Sequence, residues 1–269
     1  MKCTLIMMAL CWCPLALAQP YVSDALKFDQ RIANCEGKWF GAKGQGEKIV
    51  LGYAYMDPSE GFTFEHYGSL DTSAGNLRAV PSDTQGKARL ISRVDRNFPA
   101  SCLTDAQVAS LGLPSSPESM QYYKDDLPAA EHHSRWAYFY NQIGASDIAL
   151  DHVSKATAAG ASSAALTFEH AYALNALKRF DETISLLTPV ASSRDASSDL
   201  IAELAFAYLE LGQYRRAIAF YTKAIDHAVP SQRRWEFARN VAGAYEHLGD
   251  IKQRDRWMEL SNRYRGDTP

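Results

Sequence analysis

Residues 199–230 read DLIAELAFAYLELGQYRRAIAFYTKAIDHAVP. Two short amphipathic helical segments flank the turn Leu211-Gly212-Gln213-Tyr214. Leu204, Ala205, Tyr208, Tyr214, Ala217, Tyr221 and Ala224 fall where two antiparallel helices must interlock. A unit this small cannot bury its own apolar face, so it requires stacked neighbours.

The flanking sequence supplies them. Stepping back 34 residues from Gly212 gives Lys178 and then Gly144, and stepping forward 37 gives Gly249. In the same register the first helix carries Ala137, Ala171, Ala205 and Ala242, followed three positions later by Tyr140, Leu174, Tyr208 and Tyr245. The second helix carries Ala149, Thr183, Ala217 and Arg254, then Val153, Leu187, Tyr221 and Met258. A recurring alanine marks a point where two backbones pass too closely for a larger side chain. Arg254 and Ser261 make the last unit polar, as a solenoid cap needs. The first unit is weak in its second half, where Ala156 to Ala165 is nearly all small residues, and Val229-Pro230-Ser231 lengthens the loop before the last unit.

This pattern resembles the tetratricopeptide repeat over residues 130–269. The resemblance implies a superhelix of about four repeats whose first helices line a concave groove, and a binding function. The groove positions are Tyr138, Tyr172 and Phe206, an aromatic ladder broken by Gly243; Phe168 and Arg239 four residues before it; and Asn141 and Asn175 three after it. Phe168, Arg239 and the aromatic ladder are expected to touch a protein or extended-peptide partner. Asn141 and Asn175, each offering donor and acceptor, are expected to hold its backbone amides. The alternative is that the aromatic residues pack between repeats. Some repeat proteins of this kind clamp a C-terminal carboxylate with Lys and Asn; here Arg135, Glu169, Glu203 and Asn240 stand at a key position, so that specificity is not expected.

The chain opens MKCTLIMMALCWCPLALAQP. Lys2, a short apolar run and Ala16-Leu17-Ala18 read as a cleavable signal peptide over 1–18, giving a periplasmic or secreted protein. No later stretch is apolar enough to span a membrane. Removal of 1–18 leaves Cys35 and Cys102, which in an exported chain are expected to pair, the alternative being two free thiols. Charge is uneven: residues 19–212 hold 16 Lys/Arg against 24 Asp/Glu, and 213–269 hold 11 against 7. No basic tail suggests a nucleic-acid partner, and the oligomeric state is left open.

Residues 19–103 change to period two. A helical opening, Asp24 to Asn34, precedes predicted strands at Lys48–Tyr55, Phe62–Tyr67, Asn76–Val80 and Lys87–Val94, with turn chemistry at Asp57-Pro58-Ser59-Glu60-Gly61. A small antiparallel module results, and residues 104–129 read as a helical linker punctuated by Pro114, Pro117 and Pro128. The fold class is therefore α+β. Trp39, Phe40, Tyr53, Tyr55, Phe62, Phe64 and Tyr67 belong mainly to the core of the sheet. Glu65 and His66, adjacent on a strand, point to opposite faces and cannot act as an acid–base pair.

No catalytic motif occurs, and neither a cofactor nor a metal is expected. His132-His133 is the one histidine doublet, but neighbours on a helix diverge by about 100° and should not share an ion. His170 stands at the interior position held by Trp136, Leu204 and Val241 elsewhere. The favoured reading is an exported scaffold that binds through its groove. The other is a ligand-binding or enzymatic β-module carrying the repeats as a targeting arm. A polar pocket on the sheet with convergent acids and His would favour the second, and a sheet packed onto the first repeat the first.

Overall fold

The computed structural model describes residues 26–73, 77–82, 90–193, 196–228 and 233–266. The expected signal segment and the loop at Val229-Pro230-Ser231 lie outside the described residues.

The N-terminal layer is an antiparallel sheet of β1 (Gln30–Arg31), β2 (Lys38–Lys43), β3 (Ile49–Asp57), β4 (Gly61–Asp71), β5 (Arg78–Pro81), β6 (Ile91–Arg93) and β7 (Pro99–Cys102). The spatial order is β1-β7-β2-β3-β4-β5, with β6 beside the first half of β4. The β3–β4 hairpin lies where turn chemistry places it. Asp57 Oδ1 accepts from the Ser59 and Glu60 amides at 2.8 and 3.1 Å, and Gly61 takes φ +91°. The expected helical opening is corrected. Its described part is β1 and a 3-10 turn, Ile32–Cys35, because Gln30 pairs with Ala100 and the Ile32 amide donates to Phe98 O at 2.9 Å. Partners some 70 residues away outweigh the local pattern. β2 escaped the period-two reading because KWFGAK is buried on both faces.

Both faces of the sheet are covered. Trp39, Leu51, Tyr53 and Tyr55 face Val108 and Leu113 of the 104–129 segment, and the Trp39 indole donates to Pro114 O at 2.7 Å. That segment, which contains α1 (Asp105–Ser110), is thus a lid on the sheet rather than a free linker. On the other face Phe40, Ala54, Met56 and Phe62 share a core with Trp136, Phe139, Tyr140 and Ile143 of the first repeat. Phe40 lies across from Gly52, where an added Cβ would stand 2.9 Å from its ring. Cys35 and Cys102 form the expected disulfide, fastening the 3-10 turn to β7.

Four helical hairpins follow: α2 (Ala129–Gln142) with α3 (Ser146–Ala158), α4 (Ala164–Ala176) with α5 (Phe180–Ala191), α6 (Ser198–Glu210) with α7 (Tyr214–His227), and α8 (Arg234–His247) with α9 (Ile251–Gly266). Ala137, Ala171, Ala205 and Ala242 are all fully buried. In the last unit Met258 is exposed, and the buried Ser261 hydroxyl donates to Trp235 O at 2.6 Å, so α9 closes the array with a polar face.

The turn residues adopt one left-handed conformation: Gly144, Gly212 and Gly249 at φ +76°, +71° and +74°, and Lys178 at φ +60°. Only glycine takes this region without cost; a side chain there costs about 1–2 kcal/mol. Lys178→Gly is therefore expected to raise stability by roughly 1 kcal/mol, read as a higher urea midpoint at unchanged slope. A lowered midpoint would show that the exposed lysine stabilises the turn in another way.

Candidate partner groove and histidine cluster

Tyr138 on α2 and Tyr172 on α4 are 42% and 40% exposed. With Asn141, Gln142, Phe168 and Glu169 they line a depression of about 310 Å³ between the first two repeats. The Phe168 and Tyr172 rings lie 6.2 Å apart. Phe206 is placed differently: it is half-buried, packs on the core of the central repeats and meets the Phe180 ring at 6.2 Å. Arg239 on α8 lies over Trp235 at 5.3 Å, outside the lining of this depression. The ladder thus has two exposed rungs, and its third is drawn into the packing between helices.

The role expected for the asparagines is corrected. Asn141 and Asn175 are 4% and 5% exposed. Asn141 Nδ2 donates to Glu169 O at 3.0 Å and to Glu169 Oε2 at 2.8 Å. Asn175 repeats the pattern on Glu203 at 3.0 and 2.8 Å. Each amide fastens one repeat to the first helix of the next, so its donors are not free for a peptide backbone. Burial raises the carboxyl pKa of Glu169 and Glu203, opposed by the asparagine hydrogen bonds. The pairing recurs at a separation of 28 residues and was legible as a repeat, but not as a contact.

At the junction with the sheet, the Glu36 carboxylate accepts from Trp136 Nε1 at 3.0 Å and from the Tyr140 hydroxyl. The buried Tyr140 hydroxyl is pushed to a higher pKa by desolvation and by Glu36. The sheet face beside this junction holds a separate cavity of about 590 Å³, lined by aromatic residues with Lys43, His66 and Arg96 among them. His66 is in reach of Ser92 Oγ at 3.0 Å, while the buried Glu65 accepts from Ser119 on the opposite face. The expected separation of Glu65 from His66 is what the strand produces.

The histidine doublet departs from expectation. His132 and His133 lean toward His152 on α3, and one ring nitrogen from each of the three lies within 4.8 Å of the others. The 100° divergence along the helix is overcome because the antiparallel α3 offers a common target. His133 Nδ1 and His152 Nδ1 are 3.2 Å apart. His132 stacks on Trp136 at 4.1 Å and its Nδ1 is held by Asp125 Oδ2. Burial, then the neighbouring imidazole of His133, pushes His152 down to about 4, and burial with His132 lowers His133. At 3.2 Å the His133 and His152 Nδ1 atoms share a hydrogen bond, one ring donating to the other according to tautomer. His170, by contrast, is only half-buried, unlike Trp136, Leu204 and Val241.

Stacked helical hairpins with an exposed inner face define a repeat scaffold of the protein-interaction class. Residues 126–238 match the model of the tetratricopeptide repeat family, so that segment consists of tetratricopeptide repeats. Similar solved structures include MamA MSR-1, with 18% identity and a TM-score of 0.44 over 55% of this chain and 83% of that one. Another is a crystal structure of MamA, with 16% identity and a TM-score of 0.46 over 61% and 96%. A third is MamA 41-end from Desulfovibrio magneticus RS-1, with 15% identity and a TM-score of 0.45 over 51% and 75%. No curated protein matches the chain. Among the described residues no helix is long and apolar enough to cross a membrane.

Proposed function

We propose that this chain is an exported, non-catalytic scaffold that holds a segment of another protein in the depression between its first two repeats. One observation carries the reading: Tyr138 and Tyr172, on consecutive repeats, stay exposed and flank one recess floored by Asn141 and Glu169. Aromatic side chains of this kind serve as anchors, offering large area at little entropic cost. The Cys35–Cys102 disulfide supports an oxidising compartment. The sheet packed on the first repeat supports a fixed platform rather than an independent enzymatic arm.

The test is Tyr172→Ala in the full chain. Truncation of an anchor commonly costs about 2 kcal/mol or more, roughly a thirty-fold loss in affinity. Partner capture from the native envelope extract should fall accordingly, with the melting temperature little changed because the ring is 40% exposed. Normal melting with full capture would overturn the groove reading.

A second reading rests on the cavity beside Phe40, Phe64 and Phe98, whose cationic groups are Lys43 and Arg96, with His66, whose pKa burial lowers, beside them. Its size suits a small molecule, and its charge suits an apolar anion. The convergent acids that an acid–base enzyme would need are not among its lining residues.

A further inference from the structure

We propose that His132, His133 and His152 form a binding site for a divalent transition metal of the zinc class. The geometry is that of imidazole ligation. Two nitrogens bound to tetrahedral zinc at about 2.0–2.1 Å stand about 3.3 Å from each other. His133 Nδ1 and His152 Nδ1 are already 3.2 Å apart, and a nitrogen of His132 lies within 4.8 Å of both. Binding draws the His133 and His152 rings, both partly exposed, toward the His132 nitrogen.

The surroundings match the chemistry. Asp125 holds His132 Nδ1, which leaves Nε2 as the nitrogen offered to the ion. A carboxylate on the far nitrogen of a ligating histidine fixes its tautomer and orientation and raises its basicity. Trp136 stacks on the same ring at 4.1 Å and limits its rotation. The other nearby carboxylate, Asp151, is engaged by Lys155 at 2.6 Å, so the ligand set is the three imidazoles. Imidazole favours zinc, copper and nickel over magnesium and calcium, which prefer oxygen. Three protein ligands leave a fourth position for water.

The ligands come from two helices, and their support from a third part of the chain. His132 and His133 lie on α2, His152 on α3, and Asp125 in the segment that covers the sheet. A bound ion therefore closes the first helical hairpin and, through Asp125, ties the sheet's lid to it. It would stabilise the part of the array that carries Tyr138.

The test uses the full chain stripped with a chelator and titrated with Zn²⁺ by calorimetry, with excess Mg²⁺ present. One zinc per chain and a raised melting temperature are expected. His152→Gln and His133→Gln, on different helices, should each abolish stoichiometric binding, whereas His227→Gln should not. Asp125→Asn should weaken binding by about 10- to 100-fold while keeping one site. Absence of saturable binding by the folded wild-type chain would overturn the proposal. So would one-to-one binding that survives in His152→Gln or His133→Gln.

Discussion

Trp136→Ala is expected to destabilise the full chain by about 3–5 kcal/mol, the range for truncating a buried aromatic residue. Trp136 is 5% exposed and belongs to the core shared by the sheet and the first repeat. Its removal opens a cavity against Phe139 and leaves the Glu36 carboxylate with Tyr140 alone. Trp136→Phe separates the two contributions. It keeps most of the volume and loses only the indole hydrogen bond, at a cost of about 1–3 kcal/mol for a bond to a charged group. Urea unfolding followed by circular dichroism reads both variants. If Trp136→Ala lost less than 1 kcal/mol, the sheet and the repeats would be energetically separate, and the platform in the proposed function would fail with it.

The second large effect is expected from Cys35→Ala/Cys102→Ala. The bond closes a loop of 67 residues, for which the chain-entropy relation gives about 4 kcal/mol, within the 2–5 kcal/mol seen for small secreted domains. Most of that loop is sheet, and the sheet is also the platform for α2, so melting of both layers should move to lower temperature. Reduced wild type should behave like the double alanine variant. An unchanged midpoint would mean that residual structure in the unfolded chain already restricts it as much as the cross-link does.

The repeats were legible because their information is local and periodic. Four alanines separated by three steps of 34, 34 and 37 residues fix the register, and all four are fully buried. Even Lys178, which breaks the glycine pattern of the turns, was located by the spacing and sits at φ +60°. The β3–β4 hairpin was legible for a similar reason, since Asp57 and Gly61 encode the turn within five residues. β2 and β7 were not. KWFGAK is buried on both faces, and Pro99–Cys102 is only four residues long, so neither displays a period that a reader of sequence could find.

The same distinction runs through the candidate sites. Sequence determined which residues could face the groove, because helical period assigns faces. It did not determine what those faces would meet. Tyr172 and Phe206 occupy equivalent positions, yet one is exposed and the other packs on Phe180, because neighbouring side chains differ from repeat to repeat. Asn141 and Asn175 were assigned to a partner, and tertiary packing gave their donors to Glu169 and Glu203. His132 and His133 diverge when the helix is considered alone. They converge only because α3 returns antiparallel and brings His152, 19 residues beyond His133, to the same point. A period fixes direction from a single helix axis; a site requires the distance between two axes, and only packing sets that.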